Sequence, residues 1–216
     1  MRIIEPFAKV LSLENGEQVL RLIEQAGRTC YKSEHRIAQG TAEEFIGRII
    51  NMGHESVIEH GHATVRFVID RGVSHELVRH RLASFSQEST RYANYAKERF
   101  GNEITVIRPC FWQEDSQEYR MWESAMRDAE RHYLALIEAG AKAQEARSVL
   151  PNSLKTEVVM TANLRQWRHV FRLRCDSPAH PQIREVMLPL LHAMHERVPV
   201  VFADLAAQFP QTVFSG

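Results

Sequence analysis

Thirteen residues from Arg79 to Arg91 carry three arginines and a histidine against a single acid, Glu88. Guanidinium forks bind phosphate through paired hydrogen bonds and keep their charge at any working pH. Among them stand Ser84, Ser86, Gln87, Ser89 and Thr90, whose hydroxyl and amide groups add neutral donors to those of a turn-forming backbone. Charge plus a neutral donor loop is the make-up of a phosphomonoester site. The plainer alternative is a solvated face, but Arg79, His80 and Arg81 are adjacent and repel one another, which favours a ligand that relieves them. Arg165, Arg168, Arg172 and Arg174 form a second group with no acid until Asp176, and Arg147 stands shortly before Pro151. Arg165, Arg168 and Arg172 fall on one side of a helix, a spacing that suits a solvated face as well as an anion site.

Other chemistries leave weaker traces. His54, Glu55, Glu59, His60 and His62 cluster, as do His192 and His195, so a metal-dependent phosphoester hydrolase is the main alternative function. The HExxH zinc motif is absent, however, and Cys30, Cys110 and Cys175 stand too far apart for a CxxC or Cys–His site. No metal is expected. An RNA-binding module would need a broad basic face, whereas 27 Lys+Arg balance 27 Asp+Glu. No apolar run approaches the roughly 18 residues of a membrane span, and the first residues lack the apolar stretch of a signal peptide. The expectation is a cytoplasmic protein with neither nucleic-acid nor membrane partners.

The elements that must position these groups can be read from periodicity. Ile3 to Leu13 reads as a strand and Gly16 to Gln25 as a helix. Thr41 followed by Glu44 is a capping-box signature opening a helix whose apolar face is Phe45, Ile46, Ile49 and Ile50. His62 to Asp70 is the clearest strand, with Ala63, Val65, Phe67 and Ile69 alternating against Thr64, Arg66 and Asp70. A helix from near Val73 leads into the Arg79 segment. Ile104 to Ile107 is a short strand and Gln117 to Glu138 a long amphipathic helix closed by Gly140. Ala141 to Leu150 reads as a short helix and Thr156 to Thr161 as a strand. The remainder is helical, with breaks at Pro178, Pro181 and Pro199. No repeat or linker divides residues 1–216, so one α+β domain is expected.

Arg79-His80-Arg81, then seven residues, then Ser89 resembles the signature of the flavin-dependent thymidylate synthases. Gly53-His54-Glu55-Ser56 resembles that family's upstream GHE(S/T) segment. Arg147 with Leu150-Pro151 is similar to its ARxxLP segment, and Asn163-Leu164-Arg165 with His169 and Arg174 to its last flavin- and pyrimidine-contacting helix. Four segments occur in the family order across roughly residues 50 to 180.

The resemblance implies a mixed, largely antiparallel sheet flanked by helices, assembled as a homotetramer with FAD sites at subunit junctions. It implies methylation of dUMP to dTMP, with 5,10-methylenetetrahydrofolate as carbon donor, leaving tetrahydrofolate, and NADPH recharging the FAD. On this reading dUMP contacts fall on Glu76, Arg79, Gln87, Glu88, Ser89, Thr90, Arg91, Arg147 and Arg174. FAD contacts fall on Ser56, Arg79, His80, Arg81, Gln87, Asn163, Leu164, Arg165 and His169. Arg174 is the catalytic candidate, matching the family residue that stabilises the pyrimidine as its N3 anion; a fixed cation beside a developing anion activates C5 without a thiolate. Ser89 positions substrate rather than attacking it, since no Ser-His-Asp arrangement can be read. His54 is a candidate at the folate or nicotinamide face. Position 76 is Glu where some members carry Gln, and His169 replaces an Asn found in some.

Overall fold

The computed structural model describes residues 1–13 and 16–211, so residues 14–15 and 212–216 of the expected 1–216 unit lie outside the described residues. Pro6, which has no N–H and a fixed φ, divides the expected first strand in two. The parts are β1 (Arg2–Ile4) and β2 (Phe7–Leu13), and they join different sheets. After α1 (Gly16–Cys30) and α2 (Thr41–Asn51) come β3 (His62–Asp70), the short α3 (Arg71–Leu77) and β4 (Ala83–Gln87). β5 (Thr105–Ile107), α4 (Gln117–Glu138) and α5 (Ala143–Ala146) precede β6 (Lys155–Asn163), and α6 (Leu164–Arg174), α7 (Pro181–Arg197) and α8 (Pro199–Gln208) complete the chain.

β2, β3, β6 and β4 form a four-stranded sheet in that order, every pair antiparallel, while β1 pairs parallel with β5. The α+β class with a mixed, largely antiparallel sheet is what the resemblance implied. One sheet face is apolar by strict alternation: Ala63, Val65, Phe67 and Ile69 of β3 and Val158, Met160 and Ala162 of β6 are all nearly or fully buried. Against them pack α1, α2, α6, α7 and α8, with Trp167 of α6 stacked on Phe67 and Phe171 of α6 edge-on to Phe202. Burying side chains of this size contributes about 1.5–3 kcal/mol each. A second cluster gathers Tyr95, Ile104, Val106, Trp122, Tyr133 and Leu154 around α4 and β5.

Several local expectations fail for identifiable reasons. The Thr41 capping box does not form. Gly40, at φ 83°, precedes the helix, and the Thr41 hydroxyl instead donates to Glu24 across to α1 (3.0 Å). Asp70 does not face solvent with Thr64 and Arg66. Its carboxylate accepts from the Val73 amide (2.6 Å) as the N-cap of α3, and the residue is buried. The expected helix over Ala141–Leu150 shrinks to α5 followed by a 3₁₀ turn, Arg147–Val149. Pro181 and Pro199 open helices rather than break them, each standing at the first helical position where no N–H is needed.

Candidate active site

β4 has no counterpart in the sequence reading, and it organises the site. Its five residues pair with Val158 to Ala162 of β6, Ala83 opposite Ala162 and Gln87 opposite Val158. Arg79–Arg81 therefore enter at the end of β6 where α6 begins, and Ser89–Arg91 leave at the other end. Four residue steps at about 3.3 Å separate the two ends by roughly 13 Å. The segment ends that the resemblance gives to FAD and to dUMP thus stand apart within a single chain.

At the first end, Asn163 caps α6, its side chain accepting from the Gln166 amide (2.8 Å). α6 is seated by Gly61: its carbonyl accepts from the Leu164 amide (2.8 Å), and a Cβ at Gly61 would lie 2.7 Å from the Leu164 side chain. Leu164 is fully buried, so its side chain offers a ligand nothing. Asn163, Arg165, Gln166 and His169 line a cavity of about 400 Å³ with Leu82, Glu55, Glu59 and Arg172. Ser56, Arg79 and Arg81 are exposed, as is His54. His80 is buried, edge-on to His169 at 6.1 Å between ring centroids. Burial above all, then the charges of Arg174 and His169, pushes its imidazole down to about 4, so it is neutral at physiological pH.

Arg174, at the last turn of α6, reaches back to this end. Its Nε donates to His80 Nε2 (3.1 Å), Nη1 to the Glu76 carboxylate (2.7 Å) and Nη2 to the Glu76 carbonyl (3.1 Å). The acid at position 76 is therefore neutralised by Arg174. Neighbouring Cys175 is buried, and burial pushes its thiol up to about 12, which favours the protonated thiol over the thiolate. The α6 arginines are not a bare solvated face. Arg168, 1% exposed, is clamped by Asp204 (2.6 Å), Glu55 (3.1 Å) and the Val201 carbonyl, while Arg172 takes Glu55 (2.6 Å) and Arg165 takes Glu59 (2.6 Å). Within the His54–His62 cluster, Glu55 and Glu59 are thus engaged by guanidiniums. Among the described residues no three His, Cys, Asp or Glu side chains form a metal-holding group.

At the other end, Gln87 is held from both sides, its amide donating to the Ser74 hydroxyl (3.0 Å) and towards Thr156 (3.3 Å). Glu88 faces Lys155 (2.9 Å) and the Tyr95 hydroxyl (3.4 Å), beside a cavity of about 630 Å³ that Ser89 and Tyr92 also line. The Ser89 hydroxyl accepts from the Arg91 amide (3.3 Å), and the Arg91 guanidinium lies over the exposed Tyr92 ring (5.5 Å). Among the described residues the Ser89 hydroxyl makes no hydrogen bond to a His, Asp or Glu side chain. Thr90 is buried and accepts from Arg147 Nη1 (3.4 Å). Arg147 and Thr90 border a cavity of about 560 Å³ with Arg71, Gln144, Ser148 and Asn152. No acid lines it. Arg71, the residue that sequence reasoning missed, has its Nη1 buried with no hydrogen-bond partner. Arg71 as a whole is half-buried, and its unpartnered Nη1 is a donor that an anion in this cavity would satisfy. Its only sequence signal is a place directly after the Asp70 cap.

The four resembling segments thus meet through specific bonds. Glu55 joins the first to α6 through Arg168 and Arg172, Arg174 joins α6 to Glu76 and His80, and Arg147 joins the third to Thr90.

Comparison with known proteins agrees with this arrangement. The sequence profile of the family described as "Thymidylate synthase complementing protein" matches residues 12–200. Flavin-dependent thymidylate synthase of Geobacter sulfurreducens is 32% identical over 203 residues, covering 91% of this chain and 86% of that one. The enzyme of the same name from Pyrococcus furiosus is 36% identical over 179 residues, covering 82% and 72%. A crystal structure of the UMP/dUMP methylase PolB from Streptomyces cacaoi bound with 5-Br dUMP superposes with a TM-score of 0.79 at 22% identity, covering 97% and 98%, which shows a shared fold. Joined segments, profile and relatives lead to one conclusion: the chain belongs to the family of flavin-dependent thymidylate synthases.

Proposed function

We propose that this protein methylates dUMP to dTMP, taking the carbon from 5,10-methylenetetrahydrofolate and reducing equivalents from NADPH by way of FAD. The observation that carries the reading is the meeting of four distant motif segments at the two ends of β4 and β6. The end by α6 fits a flavin: imidazole, amide and guanidinium groups of Asn163, Arg165, Gln166 and His169 wall one cavity, with Arg79, Arg81 and Ser56 exposed beside it. Bound there, reduced FAD supplies the hydride that completes the new methyl group.

The chain's own residues then divide the substrate. Arg147, Thr90 and Arg71 receive the dUMP phosphate in the acid-free cavity, where two guanidiniums match a dianion. Gln87, Glu88, Ser89 and Arg91 orient the sugar and base. Arg174 stabilises the pyrimidine as its N3 anion, loading electron density onto C5 so that it attacks the methylene carbon. In the free chain the Glu76 carboxylate occupies part of the Arg174 fork, and it turns aside or shares the fork when the ring binds.

Arg79, Arg81 and Arg91 are exposed and have no ion-pair partner among the described residues. This supports a homotetramer in which they reach ligands at subunit junctions. The second apolar cluster adjoins the main sheet through Leu154, bridged to Val106 just before β6, which supports a single domain. Among the described residues no helix is long and apolar enough to cross a membrane, in line with a cytoplasmic enzyme. The test is direct: purified protein is yellow, NADPH bleaches it without oxygen, and dTMP forms from dUMP and methylenetetrahydrofolate. Colourless protein carrying stoichiometric zinc would refute the reading.

A further inference from the structure

Three contacts hold Arg174, and they differ in kind. The Glu76 carboxylate is a counter-charge, and any ligand anion competes with it for the guanidinium. The Glu76 carbonyl and His80 Nε2 are neutral acceptors that fix the guanidinium plane whichever anion is present. A guanidinium has five N–H donors, so two remain outside these contacts. An imidazole nitrogen accepts only when unprotonated, which specifies a neutral His80 with its proton on Nδ1. The surroundings enforce that state. His80 is 5% exposed, with the Arg174 guanidinium against Nε2 and His169 edge-on beside it, while Glu76 is turned onto Arg174. These neighbours hold the ring near a pKa of about 4.

We propose that His80 is the positioning residue of Arg174, a neutral acceptor that fixes the guanidinium so that its two uncommitted N–H groups meet the pyrimidine. The inference rests on the dUMP reading and gives His80 a role beyond the flavin contact implied by resemblance. Protonated His80 would set one cation against another across the same contact, so the hold exists only while the ring is neutral.

His80→Phe removes the acceptor at similar size, and His80→Gln restores one. With FAD and dUMP saturating, kcat of His80→Phe is expected to fall about 10- to 100-fold, with dUMP KM changing less than about threefold. His80→Gln should recover most of the rate, and His80→Phe combined with Arg174→Lys should be no slower than Arg174→Lys alone. Losses that multiply in the double variant, or a His80→Phe loss abolished by excess FAD, overturn the proposal. A second readout needs no turnover. In protein labelled with 15N-arginine, the Arg174 Nε–H (identified by its disappearance in Arg174→Lys) should exchange with water more slowly at neutral pH than the Nε–H groups of the exposed Arg79 and Arg81. In His80→Phe its exchange at the same pH should rise toward that of the exposed arginines. Exchange unaltered by the substitution overturns the positioning role even if dTMP forms, whereas slow exchange without dTMP formation counts against the substrate reading alone. If His80→Phe does not fold, His80→Asn, whose shorter amide falls away from Nε, carries the same comparison.

Discussion

Two groups of arginines flank the sheet, and they are compensated in opposite ways. On α6, Arg165, Arg168, Arg172 and Arg174 each meet a carboxylate within 3.1 Å. Around the cavity beside Thr90, Arg71 and Arg147 meet none among the described residues, and a guanidinium nitrogen of Arg71 is buried without a partner there. A compensated cation is already satisfied and serves as a fixed, oriented part of the fold. The exposed Arg147 guanidinium and the unpartnered Arg71 nitrogen leave donors that an anion can take. On the proposed reading, the α6 group serves orientation and chemistry, and the Arg71–Arg147 pair grips the dianion.

The largest expected effect lies on the oriented side. Arg174→Lys keeps the charge but loses the planar fork shared by His80 and Glu76. Its kcat for dTMP should fall by about 100-fold or more while flavin content, read by absorbance, stays near wild type; normal turnover would remove Arg174 from the chemistry. Arg168→Leu tests structure rather than activity. Loss of a buried, fully bonded cation should lower unfolding free energy by roughly 3 kcal/mol in urea titrations, and an unchanged midpoint would show that the Asp204 and Glu55 bonds contribute nothing.

Smaller effects follow from pH. His80 titrates near 4 when folded against about 6.5 when unfolded. The unfolded chain therefore binds more protons in that window, and stability is lost as pH falls from about 6.5 to 4. Glu185 works in the opposite sense: burial first, then the charge of Glu5, pushes its carboxyl up to about 7 from an ordinary 4.5. The folded chain holds that proton longer, so this contribution is lost as pH rises from about 4.5 to 7. His80→Gln should flatten the acid loss and Glu185→Gln the neutral one, each measured as the urea midpoint between pH 4 and 8. Identical profiles for both variants and wild type would contradict the burial of these groups.

Strong periodicity was legible in the sequence. β3 and α4 fall where alternation and amphipathicity predict, and α4 ends at Gly140 with φ 94°. β4 was not, because Ala83-Ser-Phe-Ser-Gln87 is a sheet-edge strand with two exposed serines, and its hydroxyls read equally well as a donor loop. The chemistry at Glu76, His80 and Arg174 was visible as residue types but not as a unit, since α3 and α6 are brought together only by the tertiary fold. Arg71 carried no motif; its meaning comes from the absence of any acid around its cavity.

The division between gripping and chemistry is tested most directly by the dUMP dependence of Arg147→Gln, read at saturating FAD, folate and NADPH. The account predicts a dUMP KM raised by about 10- to 100-fold, with kcat close to wild type once dUMP saturates. A kcat loss that no concentration of dUMP restores would contradict it.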